Sequence, residues 1–411
     1  MSADGRPGAI ASLRRPATVR ERCANILAAG LADRLAHFHV EPERLPDAAA
    51  YVAAVTRRRY PRLAIPYHSR WRHLDAGGVD RLGLLEAALG GRPADEHARA
   101  KIDLIVVSVL LDAGAGETWR FREAQTGRTF ARSEGLAVAS FRMFEAGLFS
   151  SDPSRPWQAD AGALSDLDED RMAGGFQAST TNPLVGLEGR VALLKRLGRA
   201  MKGAPQIFGT GGPRLGNIFD ALRAGARQDR VDAPAILELV LQGLEEIWPG
   251  RLELDGVSLG DTWPHPAAGG SGPAGGLVPL HKLSQWLTYS LVEPLEEAGL
   301  SVAGLEQLTG LAEYRNGGLF LDLGVLVPRH PGVTAGSHAP DAEIVVEWRA
   351  LTVALLDRLA PLVARHLGLD AAELPLIKVL EGGTWAAGRE LAEARRAGAP
   401  PIRITSDGTV F

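Results

Sequence analysis

Four consecutive polar residues, Glu313-Tyr314-Arg315-Asn316, lie between two strongly apolar stretches and offer a carboxylate, a phenol, a guanidinium and an amide. An apolar setting raises the pKa of a carboxylate and strengthens the electric field around it. The same residues are compatible with a purely structural role, in which a helix ends and Gly317 forms its C-cap. Glu313 is therefore the first candidate for a catalytic group.

A second polar pair lies on a predicted helix, where Lys282 and Gln285 are three positions apart and share one face. A lysine near the start of a helix is disfavoured by the helix dipole, which indicates a specific role for Lys282. The structural alternative is a solvent-exposed lysine, the usual situation of this residue type.

Charged side chains also interrupt two segments nearer the C-terminus. Glu347 and Arg349 break an apolar run, and a buried charge must be paired either with a ligand or with another element. Trp385 and Arg389 are four positions apart, so they share a helix face on which the guanidinium can stack on the indole. All four are candidates for binding a substrate.

Hydroxyl and amide side chains are concentrated in the segment 175–190, which includes Phe176, Thr181 and Asn182. Such a pattern is typical of a capped turn before a helix. It is also compatible with a loop whose polar groups bind a polar ligand, and both interpretations stay open.

Two features that often mark a site do not favour one here. Asp261 and His265 are close enough in sequence to bind a metal, but no further histidine completes a ligand set nearby, so we expect no metal. The chain has one cysteine, Cys23, which excludes an intrachain disulfide. Its polar helical surroundings predict an ordinary helix residue rather than a nucleophile.

The composition is that of an ordinary globular protein, with 45% hydrophobic and 23% charged residues among 411. A formal net charge of −4 gives no electrostatic reason to expect binding to nucleic acid or to an anionic membrane. No stretch approaches about 18 consecutive apolar residues, and no secretory signal follows the N-terminal arginines. These features predict a cytoplasmic protein without a membrane span.

Apolar side chains recur at three- and four-residue spacing along most of the chain, which predicts a mainly α fold with a few short strands. The helices that we predict cover residues 17–36, 187–197, 233–248, 279–297, 300–313 and 345–366. The β segments that we predict are a hairpin over 119–130 and strands at 251–257 and 402–405. We expect one compact helical unit over 1–411, or a sub-division into 1–230 and 231–411.

The segments 175–190, 281–294, 313–324 and 381–389 resemble the bacterial and fungal uracil catabolism protein 4 family, and the resemblance covers nearly the whole chain. It implies a place in a route in which uracil is converted to its nucleotide, the ring is opened and urea is released later.

The C-terminal half also resembles the queuosine salvage family of helical N-glycosidases, whose architecture is related to that of DNA glycosylases. Four motifs match in order, namely Lys282-Leu283-Ser284-Gln285, Ala312-Glu313-Tyr314-Arg315, Glu347-Trp348-Arg349 and Trp385 to Arg389. The catalytic aspartate of that family falls on Glu313, which is one methylene longer. Its Val-Pro-Gln segment is replaced by Asn316-Gly317-Gly318, so a deazaguanine base is not the expected substrate.

The two resemblances together imply hydrolysis of ribosylurea, or its 5′-phosphate, to urea and the sugar. Glu313 would stabilise the oxocarbenium-like transition state or activate water, and Lys282 would orient Glu313 or hold a sugar hydroxyl or phosphate. The remaining candidates for substrate binding are Gln285, Tyr314, Arg315, Asn316, Glu347, Arg349, Trp385, Arg389, Phe176, Thr181 and Asn182. Among them the arginines suit a 5′-phosphate, and Gln285, Thr181 and Asn182 suit a urea or amide group. No cofactor is implied.

Two other functions are compatible with the sequence. One is an amidohydrolase that acts on a ring-opened uracil derivative, and the other is a non-catalytic binding or scaffold protein of the same route. The expected partners are a small nucleoside- or nucleotide-derived molecule and other enzymes of uracil catabolism, without nucleic acid or membrane.

Overall fold

The computed structural model describes residues 6–248 and 251–405, and most of them are helical, which confirms the predicted mainly α fold. The helices are α1 (Arg6–Leu13), α2 (Pro16–Leu31), α3 (Leu45–Arg59), α4 (Trp71–Leu74), α5 (Arg81–Leu89), α6 (Ala94–Leu110), α7 (Arg132–Glu145), α8 (Ala161–Ser165), α9 (Glu169–Phe176), α10 (Leu187–Gly203), α11 (Pro205–Phe208), α12 (Ile218–Gly225), α13 (Ala233–Leu244), α14 (Lys282–Glu297), α15 (Tyr314–Asp322), α16 (Gly332–Ala335), α17 (Glu343–Leu367), α18 (Leu376–Val379) and α19 (Trp385–Arg396).

The β-structure consists of short strands, and every sheet within the described ranges has two of them. The strands are β1 (Phe38–Val40), β2 (Phe121–Arg122), β3 (Thr129–Phe130), β4 (Arg230–Asp232), β5 (Glu253–Leu254), β6 (Val257–Ser258), β7 (Thr262–Pro264), β8 (Leu277–Pro279), β9 (Ser301–Ala303), β10 (Leu326–Pro328), β11 (Ser337–His338) and β12 (Arg403–Ile404). The pairs β1–β10, β2–β3, β5–β6 and β7–β8 are antiparallel, whereas β4–β9 and β11–β12 are parallel. The hairpin predicted over 119–130 is confirmed as β2–β3.

The described residues form two compact units, each assembled from segments that are separate in sequence. The first unit contains residues 6–68, 251–285 and 304–405, and the second contains 69–248 and 286–303. One helical unit over 1–411, with a sub-division after residue 230, stays a prediction.

The core of the first unit forms around α17, which packs against α2 and α3. Residues from Val345 to Leu356 are buried without interruption, as expected of a helix that is covered on all sides. The helix ends before Gly368, whose φ of 74° is a conformation that glycine adopts without steric cost. The helix predicted over 345–366 is thereby confirmed to within two residues at each end.

Two glycines allow α15 to pack closely against α17 and α19. A Cβ at Gly317 would lie 2.7 Å from the indole of Trp348, and one at Gly388 would lie 2.1 Å from the carbonyl oxygen of Arg315. Gly317 thus lies inside α15, which excludes the structural alternative of a helix that ends there. The chain enters a helix here because Glu313 caps the free N–H groups of the first turn.

In the second unit, α6 packs against α7 and α12, and α10 packs against α8 and α9. The buried Arg190 of α10 donates from Nε to the carbonyl of Leu111 (3.0 Å) and from Nη2 to that of Ala113 (2.7 Å). Burial lowers the pKa of Arg190 to about 10. This guanidinium binds carbonyl groups of the segment that directly follows the end of α6.

Three of the predicted elements are corrected. The helix predicted over 300–313 is wrong, because 301–303 pair with β4 as β9 and Gly304 has a φ of 72° before a single 3₁₀ turn. The helix predicted from 279 begins at Lys282, because β8 pairs with β7 up to Pro279. The strand predicted over 251–257 is a hairpin, because Asp255 and Gly256 both have positive φ, as a two-residue turn requires.

Cys23 is buried in α2, and burial raises the pKa of its thiol, which supports the prediction of an ordinary helix residue. Within the described ranges, no helix combines the length and apolar character needed to cross a membrane.

Candidate functional site

Glu313 is held by the start of the helix that follows it. It is the N-cap of α15, and its Oε2 accepts from the backbone N–H of Arg315 (2.7 Å) while Oε1 accepts from that of Asn316 (2.5 Å). Ser, Thr, Asp and Asn are the usual N-cap residues, so a glutamate in this position is uncommon. The two bonds fix the orientation of the carboxylate and place it at the positive end of the helix dipole.

The side chain of Lys282 lies close enough to Glu313 to act on it electrostatically. Burial raises the pKa of Glu313, and the backbone N–H groups of Arg315 and Asn316 and the charge of Lys282 oppose that rise in part. Both Lys282 and Glu313 are partly exposed, so a molecule in solution can reach them. The structure therefore brings together the two residues that the sequence nominates for catalysis.

Asp261 organises the environment of Lys282. Its carboxylate accepts from the backbone N–H of Lys282 (2.9 Å), from Nε1 of Trp263 (2.6 Å) and from both terminal nitrogens of Arg349 (2.8 and 2.7 Å). Burial raises the pKa of Asp261, but the charge and hydrogen bonds of Arg349 outweigh it and hold that pKa well below its usual range. The start of α14 and the middle of α17 are thereby joined through one carboxylate.

The guanidinium nitrogens of Arg349 all donate to acceptor groups of the protein. Its two terminal nitrogens form a fork on Asp261, and its Nε donates to the carbonyl of Ala312 (3.2 Å), directly before Glu313. A guanidinium committed in this way does not offer its planar edge to a phosphate. The structure supports the alternative interpretation, a structural ion pair with another element, and identifies Asp261 as the partner.

Arg315 and Asn316 carry polar atoms that other described residues do not satisfy. Arg315 donates from Nη1 to the carbonyl of Gly398 (3.1 Å), and its guanidinium lies 4.7 Å from the ring centre of the half-exposed Tyr314. Within the described ranges, Nε of Arg315 and Oδ1 of Asn316 are buried and have no hydrogen-bond partner. Buried polar groups are nearly always paired, so two such atoms beside Glu313 favour a ligand or bound water there.

The side-chain amide of Gln285 is hydrogen-bonded to neighbouring segments of the protein. It is fully buried, its Oε1 accepts from the N–H of Thr309 (3.0 Å), and its Nε2 donates to the hydroxyl of Thr309 (2.7 Å) and to the carbonyl of Leu280 (3.2 Å). Its amide joins α14 to the extended segment that leads to Glu313. These bonds favour a role in positioning that segment over contact with a urea group.

Glu347 is also fully buried. Its Oε1 accepts from the backbone N–H groups of His37 (3.1 Å) and Phe38 (3.0 Å), and its Oε2 lies 3.4 Å from Nε2 of His265. Asp261 and His265 thus face different partners, Arg349 and Glu347, and do not point to one metal ion.

Trp385 and Arg389 stack as expected, with the guanidinium 5.4 Å from the indole centre. Both are partly exposed on α19, which follows a π-helical turn over Leu380–Thr384. Glu381 in that turn accepts from the hydroxyl of Tyr60 (2.9 Å) and pairs with Nδ1 of His68 (2.9 Å). Such turns are frequent at functional sites, and this one sets the start of α19.

Phe176, Thr181 and Asn182 belong to the second unit. Asn182 accepts from the N–H of Arg120 (2.9 Å) and donates to the carbonyls of Arg120 and Gln177 (both 2.8 Å), and the buried Phe176 packs edge-on against Trp119. Thr181 makes a hydroxyl contact with Ser179 (3.2 Å). Asn182 therefore satisfies backbone groups of Gln177 and of Arg120, 62 positions away, which favours a structural turn over a loop that binds a ligand.

Asp261 is a residue whose role the sequence does not indicate. Its carboxylate pairs with Arg349, 88 residues away. The sequence indicates only that a buried Arg349 needs an acidic partner, and it does not identify that partner.

The family described as "Protein of unknown function (DUF1688)" matches residues 12–411. Uracil catabolism protein 4 of Lachancea kluyveri is 39% identical over 408 residues, which cover 91% of this chain and 92% of that protein. Protein urg3 of Schizosaccharomyces pombe is 38% identical over 411 residues, which cover 98% of this chain and 99% of that protein. The chain therefore belongs to the DUF1688 family and is a homologue of uracil catabolism protein 4.

Proposed function

We propose that this protein acts in uracil catabolism as a hydrolase of an N-glycosyl bond, which converts ribosylurea or its 5′-phosphate into urea and ribose or ribose phosphate. The name of the Lachancea kluyveri relative supports the pathway. The single observation that supports the reaction best is the Glu313 carboxylate, held in one orientation beside the charge of Lys282.

The reaction requires a carboxylate at the anomeric carbon. When the bond between C1′ and the urea nitrogen breaks, its electron pair goes to nitrogen and positive charge develops on the sugar ring. Glu313 would stabilise that charge or take a proton from the water that attacks C1′, and the departing nitrogen gains a proton to give urea. The capping bonds fix the carboxylate in advance, so little reorganisation accompanies the reaction.

Lys282 would act on the same carboxylate and on the substrate. Its positive charge lowers the pKa of Glu313 and so favours the ionised form that either role requires. Asp261 fixes the backbone of Lys282 at the first residue of α14, while the side chain stays partly exposed. An ammonium group in this position is suited to bind a sugar hydroxyl or a phosphate oxygen.

Of the three arginines that the sequence nominates for a 5′-phosphate, the structure favours Arg389. Arg349 is held by Asp261, and the terminal nitrogen Nη1 of Arg315 is directed to Gly398. Arg389 is partly exposed and is oriented by its stacking on Trp385. A guanidinium held in this way loses little side-chain entropy when it binds a phosphate.

The proposal is tested with the purified protein and two substrates, ribosylurea and ribosylurea 5′-phosphate. We expect release of urea and of reducing sugar in equal amounts, with a lower KM for the phosphate ester. In the variant Arg389→Gln the preference for the phosphate ester should largely disappear, while turnover of ribosylurea changes little. Release of neither product from either substrate would refute the proposal and would favour a binding or scaffold role.

A further inference from the structure

A histidine and two glutamates of the first unit converge at the start of α17. The Nε2 atom of His37 lies 3.7 Å from Oε1 of Glu343, and one ligand atom from each of His37, Glu343 and Glu347 lies within 4.8 Å of the other two. Glu343 and Glu347 are four positions apart, so both face the same side of α17. His37 directly precedes β1 and is fixed there by its backbone bond to Glu347.

Glu347, one of these three residues, carries a buried oxygen that accepts no hydrogen bond within the described ranges. Glu347 is fully buried, and its Oε1 accepts two backbone N–H groups, whereas its Oε2 accepts no hydrogen bond from any residue in the described ranges. That oxygen lies 3.4 Å from Nε2 of the buried His265, which is within ion-pair distance but does not form a hydrogen bond. A buried carboxylate oxygen is costly unless hydrogen bonds or a positive charge compensate it.

The surroundings of His37 match those of a histidine that binds a metal. Its Nδ1 lies 3.0 Å from Nε2 of His330, and when Nδ1 carries the proton of this hydrogen bond, Nε2 of His37 has a free lone pair 3.7 Å from Oε1 of Glu343. Metal-binding histidines commonly use the other ring nitrogen for such a hydrogen bond. Ligands about 2.0–2.2 Å from one ion lie roughly 3–4 Å apart, and the separation of His37 and Glu343 falls in this range.

We propose that His37, Glu343 and Glu347 bind one divalent transition-metal cation, such as Zn²⁺ or Mn²⁺. Imidazole with two carboxylates suits these ions, and the net charge of the three ligands is complementary to a dication. The ion would join the segment before β1 to the first turns of α17, the helix that also carries Arg349. The site is separate in its ligands from the Glu313–Lys282 pair, and its expected effect is on stability.

The test uses the full-length protein after treatment with a chelator and dialysis. Zn²⁺ and Mn²⁺ are titrated separately by calorimetry, and Tm is measured with and without each ion. The diagnostic variant is Glu343→Gln, because this side chain is 45% exposed and its removal should not disturb folding. Glu390→Gln is the matched control, since Glu390 is 44% exposed and also contacts one basic side chain, Arg58.

We expect one ion to bind per chain and to raise Tm, because it binds the folded state. Affinity should fall at least tenfold in Glu343→Gln and in His37→Gln and should be unchanged in Glu390→Gln. Absence of saturable binding by both ions, or a loss of less than tenfold in Glu343→Gln, would overturn the proposal. Glu343→Gln alone decides the matter if His37→Gln does not fold.

Discussion

The segment 175–190 and the segment that begins α15 look alike in sequence, because both combine polar side chains with glycines and precede or begin a helix. In the first, Asn182 bonds to backbone groups: it accepts from the N–H of Arg120, 62 positions earlier, and donates to the carbonyls of Arg120 and Gln177. In the second, Glu313 caps α15 but also lies beside Lys282, 31 positions earlier, and next to buried atoms of Arg315 and Asn316 without described partners.

This difference distinguishes a structural turn from a candidate ligand-binding site. In 175–190 the amide oxygen and nitrogen of Asn182 are both bonded to backbone groups, so they are not available to a ligand. Around Glu313 the hydrogen bonds come from the adjacent Arg315 and Asn316, but Nε of Arg315 and Oδ1 of Asn316 have no hydrogen-bond partner within the described ranges, as expected where a ligand completes the set. Substitutions near Glu313 should therefore affect the reaction strongly, and substitutions in 175–190 should affect local stability modestly.

The largest effect is expected from Glu313→Ser. Serine is a good N-cap, so the start of α15 should be retained while the carboxylate is lost. We expect kcat/KM for ribosylurea phosphate to fall by about 10³-fold or more, because the charge-stabilising group is removed. Activity is measured as urea release, and folding is checked by Tm. Near-normal activity in a folded Glu313→Ser variant would show that Glu313 is only a cap.

The conservative variant Glu313→Asp completes this test. It keeps both the cap and the charge but withdraws the carboxylate by one methylene, so activity should lie between that of the wild type and that of Glu313→Ser.

A large loss of stability is expected from Asp261→Asn, because Arg349 would stay buried without its charged partner. Removal of one member of such a pair costs roughly 3–5 kcal/mol, which urea denaturation measures. The pKa of Asp261 is lowered in the folded state, so its contribution is present above the unfolded pKa of about 3.9 and is lost as pH falls further. The stabilities of wild type and Asp261→Asn should therefore converge in acid.

Asp103→Asn is the matched control for Asp261→Asn. Asp103 is also a buried partner of an arginine, Arg214, but burial raises the pKa of Asp103 to about 6. A raised pKa means that its contribution is present below the unfolded pKa and is lost as pH rises through about 6. At pH 7 the Asp103 substitution should therefore cost less than the Asp261 substitution, and equal costs would contradict this account.

Lys282→Met should have the next largest effect, about 10²-fold on kcat/KM, because one charged contact to the reacting centre is lost. It should also change the pH dependence. Without the ammonium, the already raised pKa of Glu313 should rise further, so the acidic limb of the pH–rate profile moves to higher pH. An unchanged limb would mean that Lys282 does not act on Glu313.

The smallest effect is expected from Asn182→Ala. The loss of its bonds to Arg120 and Gln177 should lower the free energy of unfolding by about 1 kcal/mol, which thermal denaturation detects. A large rise in KM with an unchanged Tm would instead assign Asn182 to substrate binding.

The sequence was sufficient for features that depend on local pattern. The apolar spacing in 345–366 and 233–248 predicted α17 and α13 well, because a long apolar pattern of helical period determines a helix whether one face or the whole surface is buried. The helix predicted over 300–313 failed because pairing with β4, a partner 71 residues away, overrides local spacing. Motif order nominated Glu313 and Lys282, whereas the role of Asp261 depends on a contact that spacing alone does not encode.

Carbon-13 NMR measures directly which bond of ribosylurea 5′-phosphate is broken. Ribosylurea 5′-phosphate labelled at the urea carbon is incubated with the wild-type protein, with Glu313→Ser as the folded control. We predict that the wild type transfers the label to free urea, together with an equal amount of ribose 5-phosphate, and that the control leaves the substrate intact. Label in carbonate or carbamate would show cleavage at the urea carbonyl, as by an amidohydrolase, and would contradict the N-glycosyl mechanism.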